Sequence, residues 1–330
     1  GCAVGDLSHH MTAVHLSGPD AVRLLGDLCV NDVDDFGVGR ARQIVMCSPD
    51  GYLIGDGPLL RFGEETFYGA GVHGTKWLRF NVETGDYDVS LDVEPPTPLL
   101  PEGEDPERFV YQVQGPTAGA VFDEVTDADL ANLDFFAFEE VSLAGRDVVA
   151  FGHGMSTEAG VEFIGPYEAS EEVMDAILAA GADHGVRRLG RKAYVSQTTK
   201  LGWVPPWPKP VYESEAMREY REWVDVEKEH AFGKAYWTDD GSLETTFSIE
   251  GSFDSGDVTD YYLDPVEVGY GKLVDFDHDF VGKAALRERV EHQERTLVSL
   301  FWDAEDARRV SDSIFGEGPL HKSFGDLPLI

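Results

Sequence analysis

The stretch Thr12-Ala13-Val14-His15-Leu16-Ser17-Gly18-Pro19-Asp20, followed by Ala21 to Leu28, decides the architecture. Thr12 to Leu16 reads as a strand. Ser17-Gly18-Pro19-Asp20 is a turn, and Asp20 has a side chain suited to an N-cap, which predicts a helix over Ala21 to Leu28. The same order returns at Phe109-Val110-Tyr111-Gln112-Val113-Gln114, where Gly115-Pro116-Thr117 turns into a second helix. This is a weak internal repeat of strand, Gly-Pro turn and helix. It points to α+β domains rather than to a solenoid.

Residues 38–110 are strand-rich outside that repeat. Gln43 to Cys47, Tyr52 to Ile54, Leu59 to Phe62 and Thr66 to Tyr68 read as short strands, separated by Pro49-Asp50-Gly51 and Gly63-Glu64-Glu65. Glu94 to Pro106 is crowded with prolines and acids and reads as a linker. Val148 to Ile164 holds two strands around a His-Gly-Met turn, and Glu171 to His184 is an amphipathic helix. Residues 201–212, rich in Pro and Trp, form an ordered loop, and Glu215 to Lys228 a helix. A last unit starts near Trp237 and carries strands with one helix at Lys283 to Val290. The expected division is 1–37 with 105–200, an inserted 38–104, a connection 201–236, and a β-rich 237–330.

Composition excludes several functions. The 330 residues hold 62 acids against 26 Lys and Arg, a formal charge of −36. A surface this anionic repels phosphate backbones and anionic lipid, so neither nucleic acid nor a membrane is an expected partner. The acids are spread along the whole chain and only nine lysines occur. That pattern suits a solvated surface in a salt-rich, halophilic cytoplasm, where screening makes self-repulsion tolerable. The hydrophobic share of 42% is enough for a sizeable core. No apolar run approaches the ~18 residues of a membrane span. No secretory leader opens the sequence, which argues for the cytosol. Cys2, Cys29 and Cys47 give no disulfide or zinc spacing, so reduced thiols are expected.

Several motifs carry possible chemistry. Gly69-Ala70-Gly71-Val72-His73-Gly74 fits the glycine pattern of a dinucleotide site, but its following helix is short; a Gly-rich strand-to-helix turn is the plainer reading. The histidines lack metal-ligand spacing, so no metal is expected. Neither a nucleophile elbow nor a P-loop is present. Gly160-Val161-Glu162-Phe163 sets a carboxylate between apolar neighbours, where it could accept two parallel N–H bonds from an aminopyrimidine-type ring. Arg191-Lys192-Ala193-Tyr194 puts a phenol beside two cations, which could tune it for proton transfer. Gly202-Trp203-Val204-Pro205-Pro206-Trp207-Pro208 offers a flat aromatic wall. Taken singly, each also reads as ordinary structure: a solvated acid, a core tyrosine, a Trp at a domain junction.

Together these segments resemble one family. Ser8-His9-His10-Met11, Gly18-Pro19-Asp20-Ala21, Gly51-Tyr52-Leu53-Ile54-Gly55-Asp56-Gly57, His153-Gly154-Met155, Gly160-Val161-Glu162, Ala193-Tyr194 and Leu201-Gly202-Trp203-Val204 follow the order of the folate-binding aminomethyltransferase family. Its type member is the glycine cleavage system T protein. The stretch from Asp260-Tyr261-Tyr262 to Ala284-Ala285-Leu286 continues the match. Within the family, the chain resembles the tetrahydrofolate-dependent O-demethylases of vanillate- and syringate-type aryl methyl ethers.

The resemblance implies an α+β three-domain ring with mixed and antiparallel sheets, a C-terminal β-barrel-like domain and tetrahydrofolate in the central hole. Glu162 would grip the pterin, with Trp203 and Phe135 as aromatics of the folate pocket. Tyr194 would assist methyl transfer, and His10 would stand on the substrate side. The implied reaction moves a methyl group from a small-molecule donor to N5 of tetrahydrofolate. The rival readings are an aminomethyltransferase, which needs a lipoyl carrier protein, and a non-catalytic folate-binding protein. Against the first, 68–73 lacks the family's Asn-Ala pair and nearby Asp; against the second, no Cys follows Arg191-Lys192. Residues 69–74 also lack an Arg to hold an aromatic carboxylate. The family's chains begin before the segment matching Gly1 and have a longer C-terminal barrel.

Overall fold

The computed structural model describes residues 1–156, 158, 160–204, 208–231, 253–316 and 318–321. The chain divides into a unit of Gly1–Gln293 and a second of Glu294–Ile330. In chain order the first unit holds β1 (Cys2–Asp6), β2 (Ala13–Ser17), α1 (Ala21–Leu28), β3 (Ala41–Cys47), β4 (Leu53–Gly63), β5 (Thr66–Ala70), α2 (Thr75–Thr84) and β6 (Ser90–Glu94). There follow β7 (Arg108–Gln114), α3 (Ala118–Val125), β8 (Phe138–Leu143), β9 (Arg146–Phe151), β10 (Gly160–Pro166), α4 (Ser170–Ala180), β11 (Val186–Leu189), α5 (Arg191–Leu201) and α6 (Arg218–Ala231). A further helix covers Lys283–Glu291.

These strands make two sheets. The first has six strands in the order β11-β1-β7-β10-β9-β8, and the second has five in the order β3-β4-β5-β2-β6. Only β1 and β11 pair in parallel; every other described pair is antiparallel. The α+β class read from the sequence is what these sheets and helices show. Helices α3 and α4 bury Val121, Phe122, Val173 and Ile177 on one face of the first sheet, against Phe109, Val113 and Phe163. Helices α1, α2 and α6 bury Leu24, Leu25, Trp77, Leu78 and Tyr220 against the second, with Phe67 and Ile54. A third core, with Leu60, Tyr68, Val110, Phe151 and Ile164, joins residues of both sheets. The Lys283–Glu291 helix adds Leu286 to a fourth core with Val45, Cys47 and Leu53.

The repeat that opened the sequence reading is present as β2–α1 and β7–α3. Its two copies do not share a sheet: β2 pairs with β5 and β6, whereas β7 pairs with β1 and β10. Two local expectations are corrected, at Asp20 and in β4, and the plainer reading of the glycine run holds. Asp20 makes no side-chain cap on α1; its carboxylate instead accepts from Arg23 and from the Asp88 amide at 2.8 Å. The expected strands Tyr52 to Ile54 and Leu59 to Phe62 merge, from Leu53 on, into the single strand β4. Gly69 to Gly74 ends an antiparallel strand and caps α2, so the parallel strand–helix–strand setting of a dinucleotide site is missing. That glycine run packs on β4: a Cβ on Gly55 would stand 2.2 Å from the His73 carbonyl oxygen. Glycine is needed there because the two backbones cross.

Among the described residues, Cys2, Cys29 and Cys47 are free and buried. No described helix is long and apolar enough to cross a membrane. The described residues of 253–293 form 3-10 turns and one helix. The second unit shows one described helix, Ala304–Asp312, capped by Asp303.

Candidate functional site

Strand register builds the first cluster. Glu162 on β10 stands opposite Gln112 of β7 and Phe151 of β9. Its two chain neighbours, Val161 and Phe163, are buried in the helix-covered core, so alternation turns Glu162 to the opposite face. The residue is only 5% exposed. A buried carboxylate is costly unless it is hydrogen-bonded. Two donors meet the need, both at Oε1. Gln112 Nε2 donates at 3.1 Å, and His153 Nδ1 lies at 2.9 Å. The side-chain carbonyl oxygens of Gln112 and Gln114 are buried with no hydrogen-bond partner among the described residues. Such acceptors normally find a partner. Three acceptor-bearing side chains thus gather on neighbouring strands.

Tyr194 and His10 belong to this cluster. Tyr194, on α5, packs partly buried on the core shared by both sheets, and its ring lies edge-on to His10 with centroids 5.6 Å apart. Burial pushes the Tyr194 phenol well above its ordinary pKa, and the negative Glu162 raises it further. The hydroxyl therefore keeps its proton over the neutral range. The side chains of Arg191 and Lys192, expected to tune it, lie outside the described residues. Phe135 reaches the cluster through His153, at 5.8 Å between ring centroids, and is 68% exposed. A large aromatic left open beside a buried polar floor is a ready stacking surface.

Trp203 is not in this cluster. It stands just past α5, whose eleven residues give a helix about 16 Å long, with Tyr194 in its first turn. There a second buried acid, Asp56 of β4, gathers donors on one oxygen. Trp203 Nε1 donates to Oδ2 at 3.1 Å, Gln43 Nε2 at 3.2 Å, and the Tyr270 hydroxyl makes a short hydrogen bond to the same atom. Asp56 Oδ1 is buried with no partner among the described residues. His73 faces the Trp203 ring at 5.3 Å. Trp207 lies outside the described residues. Among them, no group of three or more His, Cys, Asp or Glu is arranged to hold a metal ion. A shallow groove lined by Cys2, Gln114, Ser156, Arg187 and Gln197 holds none of the expected site residues.

Sequence reasoning missed Gln112, His153, Asp56 and Tyr270 as members of these clusters. Gln112 becomes visible only once β7 and β10 are in register. His153 and Asp56 lie in stretches that carried the family resemblance, without a role attached. Tyr270 likewise lies in the matching stretch from Asp260 to Leu286, again without a role attached.

The chain belongs to the GCVT family: residues 1–201 match its N-terminal domain and include His10, Phe135, Glu162 and Tyr194. Among particular relatives, it is 34% identical over 319 residues to a syringate O-demethylase of Sphingobium sp., covering 96% of this chain and 66% of that protein. It is 28% identical to a sesamin methylene transferase of Sinomonas sp., covering 89% of this chain and 60% of the relative. An aminomethyltransferase of Lysinibacillus sphaericus is 29% identical over 178 residues, 54% of this chain and 47% of that one. The chain thus spans less than two thirds of the length of these curated relatives. Among solved structures, the glycine cleavage system aminomethyltransferase T of Bartonella henselae shares the fold, with a TM-score of 0.52 at 17% identity over 88% of this chain and 63% of that one.

Proposed function

We propose that this chain belongs to a tetrahydrofolate-dependent methyltransferase of the O-demethylase type, which takes a methyl group from a small aryl methyl ether. The observation that carries the reading is the polar floor at Glu162: a buried carboxylate and two amide carbonyls without a partner among the described residues, beside a phenol whose pKa is raised. The similarity to a syringate O-demethylase along 96% of this chain supports the same reading. The residues fit a reduced pterin, which is flat and presents N–H donors on one edge. Oε1 of Glu162 already takes two donors. Ligand N–H groups would therefore fall to Oε2 and to the Gln112 carbonyl, a change from the two-oxygen grip expected of Glu162 alone. Phe135 would cover one ring face, and Trp203 would flank the ligand toward the end of α5.

When bound, tetrahydrofolate supplies a secondary amine at N5 that accepts the methyl group. The protein's own part is to orient and to donate. An aryl ether is hard to cleave because phenoxide is a poor leaving group. Tyr194, held protonated by burial and by Glu162, would give a hydrogen bond or proton to the departing ether oxygen, as would His10 beside it. Fixing donor and acceptor in one pocket supplies proximity.

The finer family architecture is part of this proposal: a three-domain ring in which 201–236 connects to a C-terminal β-barrel-like domain of 237–330. So are a cytoplasmic, salt-rich setting and a small-molecule partner, with neither nucleic acid nor membrane. A lipoyl carrier would be a partner only if the reaction were aminomethyl transfer. The test is incubation with tetrahydrofolate and a panel of methoxylated aromatic acids in molar salt, followed by mass analysis. The expected product is 5-methyltetrahydrofolate with the matching phenol. Methylene transfer from an aminomethyl-lipoyl carrier, with no methyl transfer from any ether, would select the rival reaction.

A further inference from the structure

We propose that His153 is a positioning residue for Glu162: its Nδ1–H fixes the carboxylate so that Oε2 is left to the ligand. The inference rests on the folate reading and deepens it. It starts from the 2.9 Å contact between His153 Nδ1 and Glu162 Oε1. A carboxylate that has lost its proton only accepts hydrogen bonds, so the proposal assigns His153 the tautomer with its hydrogen on Nδ1. With Gln112 Nε2 on the same oxygen, both acceptor directions of Oε1 are filled. Oε2 receives no hydrogen bond from any described residue.

The imidazole is held on three sides, which fixes where its N–H points. Phe151 stacks nearly parallel to it, at 5.1 Å and 7°. Phe136 meets it edge-on at 5.6 Å and 84°, and Phe135 lies at 5.8 Å. Backbone pairing clamps the same point: the Phe136 amide donates to the Gly152 carbonyl at 2.8 Å, and the Gly152 amide to Ala137 at 2.9 Å. A Cβ on Gly152 would lie 2.3 Å from the Asp134 carbonyl oxygen, so the two segments approach as only glycine allows. Phe136 itself takes a left-handed φ of 63°, uncommon for a bulky residue. The held ring gives Glu162 a donor that cannot swing away when a ligand competes for the carboxylate.

The test compares His153→Asn with His153→Gln. Both lose the ring and its stacking. An Asn amide can occupy the place of Nδ1, whereas a Gln amide reaches toward the place of Nε2. Calorimetric titration with tetrahydrofolate should give a Kd for His153→Gln about tenfold or more above that of His153→Asn, the range of a charge-assisted hydrogen bond. The thermal midpoints of the two variants should agree with each other. His153→Phe, which keeps the stack and loses the donor, should bind as weakly as His153→Gln. Equal affinities for Asn and Gln variants, with a wild-type protein that binds, would overturn the role of His153 and leave the folate reading intact. Wild-type protein that fails to bind tetrahydrofolate would overturn both.

Discussion

Glu162 and Asp56 are both buried acids on sheet strands, yet their surroundings are completed in different ways. The donors of Glu162 sit close by in the same sheet, on its strand partner and just past the next strand. Those of Asp56 come from positions 43, 203 and 270, far apart in the chain. The first is a site made by one sheet, with Oε2 left over. The second ties β3, the segment after α5 and the 270 turn into one structure. We read Glu162 as facing a ligand and Asp56 as closing the tertiary fold around Trp203.

The sharpest way to break this comparison is Asp56→Ala. It would take the shared acceptor from three donors, leaving Gln43 Nε2 and Trp203 Nε1 only the Tyr270 hydroxyl, at 3.3 and 3.2 Å, and the Tyr270 hydroxyl itself without an acceptor. Leaving buried donors without an acceptor costs about 1–3 kcal/mol each, so urea unfolding in molar salt should show a loss of about 3 kcal/mol. A loss under about 1 kcal/mol would reduce the Asp56 cluster to a surface-like contact. Next comes Tyr194→Phe. Removing a general acid should slow methyl transfer by about a hundredfold or more while tetrahydrofolate still binds. Full turnover would leave Tyr194 as packing.

A smaller effect is expected from Trp203→Phe. It deletes one of three donors on Asp56 Oδ2 and should cost about 1 kcal/mol of stability, read by the same urea titration. Smallest is an alkaline effect. Burial first, then Asp56, raises the Tyr270 pKa above its ordinary value. A tyrosine raised in the folded state contributes stability that is full below its unfolded value of about 10 and is lost as pH rises past it. Stability should therefore decline above pH ~10, and Tyr270→Phe should make that decline shallower. An unchanged slope would remove Tyr270 from the titrating set.

The same contrast explains what the sequence could reveal. The β2–α1 and β7–α3 units were legible because strand, turn and helix signals there are local. Asp20 misled because its carboxylate found Arg23 and the Asp88 amide, and no local pattern reveals a partner 68 residues away. Glu162 was legible as an acid between apolar neighbours, and Tyr194 and Trp203 through the family's short motifs. Their separation into two clusters was not, because it depends on where α5 ends and on the distant Asp56. Helix α5 was itself missed, because Arg191 to Leu201 has little apolar periodicity.

The central claim is that Glu162 carries folate recognition while Asp56 carries structure. It is tested most directly by calorimetric titration of wild-type and Glu162→Gln protein with tetrahydrofolate, side by side in molar salt. The account predicts that the wild type binds and that the variant, folded with an unchanged thermal midpoint, binds about 1.5–3 kcal/mol more weakly. Equal affinity in the two proteins would contradict it.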